Sequence, residues 1–122
     1  MRKLATVLAL VVTTAQAATW VRFAHDAESR AYEYDHETIT HHDNYGRTMV
    51  TWTRTRTAQN ENTTTRYELH CASRSYRITQ QYRRDHEDRL FYQLRDPGAR
   101  WESAVPDGVE QVLIRTICGY YR

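Results

Sequence analysis

Four residues within eight positions, His36, His41, His42 and Asp43, are of types that bind transition metals. Imidazole and carboxylate suit zinc or copper, but a site needs three or four such donors converging on one point. His41 and His42 are adjacent, so in an extended chain they point to opposite faces. Neither HExxH nor Cys-x-x-Cys occurs. These residues read either as weak copper or nickel ligands or as a polar connection between strands, and the pattern favours the connection.

Acid–base chemistry has two further candidates, His25-Asp26 and Asp85-His86-Glu87-Asp88. Both fall in segments that read as loops or turns, and no GxSxG nucleophile motif accompanies them. An enzyme is therefore not expected, nor a cofactor. Arginine and tyrosine interleave through Arg74, Tyr76, Arg77, Tyr82, Arg83 and Arg84. In other settings that mixture stacks bases and binds phosphate. Here period-two alternation predicts the tyrosines on the core side and Arg77 and Arg83 on the opposite, solvated side. Arg54, Arg56, Arg77 and Arg83, with Tyr45 and Tyr92 if exposed, form a candidate binding surface, because arginine and tyrosine are over-represented where interfaces concentrate their energy.

The elements that would position these residues are mostly strands. Alternating runs rich in threonine, tyrosine and valine are expected at 20–24, 29–35, 47–57, 64–71, 75–84 and 90–94. In the third run the alternation assigns Val50 and Trp52 to the core and the threonines to the other face. Short polar connections favour an antiparallel meander. The last stretch differs. Val109, Val112, Leu113, Thr116 and Ile117 follow helical spacing, and Asp107 with Glu110 has the shape of a capping box. Gly119 suits a left-handed C-terminal position. A helix this short needs a surface to bury its stripe, and the sheet is the candidate. The fold class expected is α+β: a single antiparallel, meander-like sheet with a C-terminal helix packed on one face and one disulfide.

Arg2 and Lys3, the apolar run from Leu4 to Val12, and Ala15-Gln16-Ala17 have the layout of a secretory signal peptide over residues 1–17, leaving 18–122 as one domain. No membrane span is expected after its removal, the run being too short, and no nearby cysteine invites lipid attachment. The whole chain has 17 basic and 15 acidic residues; without Arg2 and Lys3 the two balance at 15 each. A near-neutral exported domain is a poor nucleic-acid binder. Lys3 is the only lysine. Two cysteines in an exported chain read most simply as one disulfide, Cys71–Cys118, worth roughly 4 kcal/mol by loop-closure entropy; two unrelated thiols are the alternative.

Trp20, the Tyr32–Tyr34 pair, Val50-x-Trp52, Tyr67-x-Leu69-x-Cys71, Tyr76, Tyr82 and above all Trp101 with Val105-Pro106-Asp107-Gly108 running on to Cys118 form a pattern. Over roughly Trp20 to Tyr120 the chain resembles the bacterial surface-adhesin E family. The resemblance implies an exported protein in the periplasm, on the outer surface or in the medium. It also implies a non-enzymatic role in binding host matrix or serum proteins, or envelope components. Two departures limit it: there is no cysteine to carry a lipid anchor, and the mature chain has no lysine to offer a lysine-reading partner. An exposed sheet edge also makes a homodimer an expectation. The alternative function is a periplasmic small-ligand or metal-binding protein using the histidine-rich connection.

Overall fold

The structure is a computed structural model that describes residues 18–28, 30–41 and 48–120. The expected signal segment therefore lies outside the described residues. The strands are β1 (Trp20–His25), β2 (Ala31–Asp35), β3 (Thr40–His41), β4 (Thr48–Arg56), β5 (Asn62–His70), β6 (Ser75–Arg84), β7 (Leu90–Arg95) and β8 (Glu102–Ser103), followed by helix α1 (Val109–Tyr120). They form one antiparallel sheet in the order β1-β2-β4-β5-β6-β7, with β3 added beside β4 and β8 beside β6. The six long strands are those expected from the alternation. The two-residue strands β3 and β8 and a 3-10 turn at His36–Thr38 are too short to carry a periodic signal.

Three of the connections use one device. Asp26, Thr57 and Asp85 each donate their backbone N–H to the carbonyl four residues on (Arg30, Glu61 and Arg89), at 3.1, 2.9 and 2.9 Å. Each side chain also accepts a hydrogen bond: Asp26 and Asp85 from the N–H of Arg30 and Arg89, and Thr57 Oγ1 from that of Glu61. Asn60 and Asp88 occupy the left-handed region at φ 60° and 63°, as short hairpin loops that end in a bulge require. Asn and Asp tolerate that conformation better than other side chains.

The helix lies across one face against β1 and β6. Its buried residues are Leu113, Ile114, Ile117 and Cys118, which pack with Tyr34, Met49, Tyr67 and Leu69 of the sheet. The buried stripe is thus rotated from the expected one: Val109, Val112 and Thr116 are only half-buried, while Ile114 and Cys118 take core positions. The rotated stripe is the one that carries Cys118. Cys71 and Cys118 are joined with their Cα atoms 5.8 Å apart, so the Cys118 side of the helix must face the end of β5. Cys71 and Cys118 are the disulfide pair expected from the sequence.

Both ends of the helix differ from expectation. At the start, Val112 N–H bonds to the carbonyl of Gly108, while the Gln111 side chain, not that of Glu110, reaches back to the Asp107 N–H at 2.6 Å. Glu110 instead accepts a 3.4 Å hydrogen bond from the Tyr67 hydroxyl. A side chain at Gly108 would stand 3.1 Å from the Val105 carbonyl, a tight contact that the turn over Val105–Gly108 would have to relax by a few tenths of an ångström to accept. At the far end the helix continues through Gly119 to Tyr120, so Gly119 does not terminate it.

Register decides which face each strand residue occupies. Met49, Leu69 and Tyr76 lie opposite one another, as do Thr51, Tyr67 and Ile78. Thr51, Thr53 and Thr55 of β4 therefore face the helix side; Thr51 and Thr53 are buried there. Val50 and Trp52 face away from the helix, so Trp52 reverses the expected assignment, while Val50 is buried as expected but on the other side of the sheet. Alternation divides β4 into two sets but says nothing about which set meets the helix. That is decided by pairing with Leu69, whose parity is that of Cys71.

A second reversal comes from a bulge. The register of β5 with β6 shifts between Arg66 and Tyr67, which pair with Gln80 and Ile78. Thr79 is the extra residue, buried, with its hydroxyl accepting from Arg66 Nη1 at 2.6 Å. A bulge flips every side chain beyond it to the opposite face. Tyr76 and Ile78 consequently face the helix while Tyr82 does not, and Arg77 and Arg83 end on opposite sides.

Candidate functional site: the open face of the sheet

The helix leaves the other sheet face without a helix over it, although Thr48, Val50 and Glu68 are buried there, and cross-strand rows organise it. One row runs Val50, Glu68, Arg77; the next runs Trp52, Arg66, Gln80, Arg95. A third runs Glu33, Arg54, Thr64, Tyr82, and a fourth Arg56, Asn62, Arg84. With Arg22 opposite Glu33 and Trp20 opposite Asp35, this face carries Arg22, Arg54, Arg56, Arg66, Arg77, Arg84 and Arg95. Against them stand Glu33, Asp35 and Glu68. Seven of the fifteen arginines of the expected mature chain thus stand on this face.

Several guanidinium groups are held rather than free. Arg54 lies over the Trp20 ring at 4.3 Å and pairs with Glu33 at 3.1 Å. Arg77 lies over Trp101 at 4.6 Å, and His70 meets the same ring edge-on. Trp52 and Tyr82 stack at 6.0 Å between centroids, 15° between planes. Glu68 is only 3% exposed and is bracketed by Arg66 at 3.2 Å and Arg77 at 3.0 Å. One carboxylate between two guanidinium groups leaves that cluster positive, and the buried Nε of Arg77 has no hydrogen-bond acceptor.

Two hollows open onto this face. A cavity of about 450 Å³ is bounded by Trp20, Arg54, Arg56, Asn62, Arg84 and Asp88. One of about 310 Å³ lies beside Arg66, Arg77, Thr79, Gln80 and Arg95. In the first, Arg56 donates to the neutral amide oxygen of Asn62 at 3.1 Å and Arg84 to the Asp88 carbonyl at 3.3 Å. Among the described residues neither guanidinium is paired with a carboxylate, although Glu33 and Asp88 also line the hollow.

The structure separates the residues singled out from the sequence. Arg54, Arg56 and Arg77 share the open face. Arg83 lies on the helix side at the β7 edge, stacked at 4.9 Å on Tyr92, because of the Thr79 bulge. Tyr45, His42 and Asp43 lie outside the described residues. His36 sits in the 3-10 turn and His41 in β3, both exposed. Among the described residues no group of three or more histidine, cysteine or carboxylate side chains is placed to hold a metal.

The acid–base candidates serve the turns. Asp26 accepts from the N–H groups of Glu28 and Arg30 and from Arg30 Nε at 2.6 Å. Partial desolvation acts to raise its pKa, but these bonds outweigh it and hold the carboxyl below its ordinary value. The Arg89 and Glu87 N–H groups hold Asp85 below its ordinary value in the same way. Trp20, Trp52, Arg66, Glu68, Tyr82 and Arg95 were missed as members of this surface. The available signal was the parity of Cys71, propagated through a short hairpin to β4; it identifies Trp52 and Arg66 but not Tyr82, which needs the bulge.

The fold and the site define a class: a disulfide-bonded α+β domain presenting a broad, arginine-rich sheet face. Residues 20–119 match the family described as Surface-adhesin protein E, and the chain belongs to that family. It is accordingly an adhesin-like surface protein. No curated protein and no solved structure matches the chain. Among the described residues no helix is long and apolar enough to cross a membrane.

Proposed function

We propose that residues 18–122 form an exported, non-enzymatic binding domain, released from a signal peptide at 1–17, that engages protein partners through the open face of its sheet. Host matrix and serum proteins or other envelope components are the partner classes. The observation that carries this reading is the helix-free face itself, where arginines are held against tryptophan rings and a buried carboxylate. Side chains fixed in this way lose little freedom on binding, which is the usual obstacle to using long cationic groups at an interface. Arg54, Arg56 and Arg77 belong to this surface. Arg83 and Tyr92 belong to a separate β7 edge where Leu90, Phe91 and Tyr92 are exposed, and that edge suits strand pairing with a second copy.

The test is capture of matrix and serum proteins by purified, oxidised 18–122, repeated with Arg54→Gln/Arg56→Gln. Retention of a partner that the variant loses supports the reading. Absence of any partner at micromolar concentration, together with normal attachment of cells lacking the protein, overturns it. Fractionation of the cells locates the protein in the periplasm, on the surface or in the medium.

A further inference from the structure

We infer that the open face binds a sulfated polysaccharide, laid along the strands so that it touches both arginine clusters at once. This goes beyond protein contact but rests on the reading that this face is the binding surface. The first cluster is Arg56 and Arg84 at the larger hollow, neither paired with a carboxylate among the described residues. The second is Arg66, Arg77 and Arg95 around the single carboxylate of Glu68, with Arg77 Nε lacking an acceptor. Asn62 and Glu68 of β5 mark the two clusters, and six residues of strand separate them by about 20 Å. A single small anion cannot span that distance, whereas a linear polymer with a charge on most sugars can.

The chemistry favours sulfate on sugar over the other polyanions. Planar guanidinium forks pair with oxyanions through two hydrogen bonds. Asn62, Thr64 and Gln80, lying between or beside the arginines in the cross-strand rows, supply neutral donors and acceptors for ring hydroxyls. Nucleic acid would need open aromatic faces on which to stack bases. Here Arg54 occupies one face of Trp20 and Arg77 one face of Trp101, and Trp52 is stacked with Tyr82.

The experiment titrates oxidised 18–122 with a size-defined heparin-type octasaccharide, its desulfated form and a single-stranded DNA of similar charge, at low and at physiological salt. Expected are tight binding of the sulfated chain at low salt that weakens as salt screens it, and at least about ten-fold weaker binding of the other two. Arg56→Gln/Arg84→Gln/Arg95→Gln should lose about ten-fold or more in affinity. Arg30→Gln/Arg74→Gln/Arg115→Gln makes the same charge change away from this face and should bind like the parent. All three tryptophans of the chain, Trp20, Trp52 and Trp101, border the face. Their fluorescence should therefore change on saturation of the unsubstituted protein, a readout independent of how any variant folds. Unchanged fluorescence at saturation, equal loss in both triple variants, or DNA binding as tight as the sulfated chain would each overturn the inference. If matrix proteins are captured through the face while the octasaccharide does not bind, this inference fails and the proposed function stands; if neither binds, both fail.

Discussion

Removing the bond between Cys71 and Cys118 is the perturbation that tests the architecture most directly. The two residues are 47 apart in sequence, so the bond closes a loop spanning most of β6, β7, β8 and the helix. Loop-closure entropy puts its stabilisation at about 4 kcal/mol, a large share of the 5–15 kcal/mol typical of a domain. Few other groups can make up the difference, because the helix brings only Leu113, Ile114 and Ile117 as buried apolar side chains besides Cys118. The assay is equilibrium urea unfolding of 18–122 and of Cys71→Ala/Cys118→Ala, followed by both far-ultraviolet circular dichroism and tryptophan fluorescence. The expected result is a single transition in each, with the variant about 4 kcal/mol less stable. Leu113→Ala in the oxidised protein provides the companion figure, a loss of about 2–5 kcal/mol from its fully buried site. A loss below about 1 kcal/mol for the double variant would refute the reasoning, since the bond would then not be what fastens the helix.

Three further outcomes follow from the geometry. Glu68→Gln leaves Arg66 and Arg77 without their buried counter-charge and should cost about 3–5 kcal/mol, measured by urea unfolding; an unchanged midpoint would mean that water already neutralises the cluster. Burial first, and the nearby Glu110 carboxylate second, push the Tyr76 phenol up to about 12 and Tyr67 further still. An unfolded tyrosine ionises near pH 10, so the stability from keeping these phenols neutral is complete below that pH and is lost as pH rises through the folded values. Stability should therefore fall from about pH 10 upward, and Tyr76→Phe should flatten part of the slope. Asp26 and Asp85 titrate below their ordinary values. Their contribution is present above about pH 4 and lost as pH falls through the folded pKa values, so Asp85→Ala should reduce the acid sensitivity of unfolding; an identical acid limb would count against the turn-locking role.

The long strands, the single helix and its disulfide were legible because each leaves a local mark. Alternation over nine residues from Thr48 to Arg56, or a stripe from Leu113 to Ile117, reflects a backbone period that neighbours impose on one another. The acidic residues of the turns were visible too, but their purpose was not. Asp26 and Asp85 look like acid–base groups in a string of letters, and become hairpin locks only when the strands on either side are paired. The binding face was half legible: Arg54, Arg56 and Arg77 were found, whereas Trp52 and Tyr82 were assigned to the wrong side.

By itself, then, the order of residues determined six long antiparallel strands, a closing helix and the pair of sulfurs that join them, since period, turn chemistry and cysteine count are properties of short segments. Only the tertiary structure decided which side of each strand the helix covers. Parity within a strand is local, but its orientation is set by a register carried from Cys71 through Leu69 to Met49, and one buried extra residue at Thr79 reverses it halfway along β6. That single-residue reversal places Tyr82 and Arg84 beside Trp52 and Arg56, and so assembles the surface on which the function is proposed to depend.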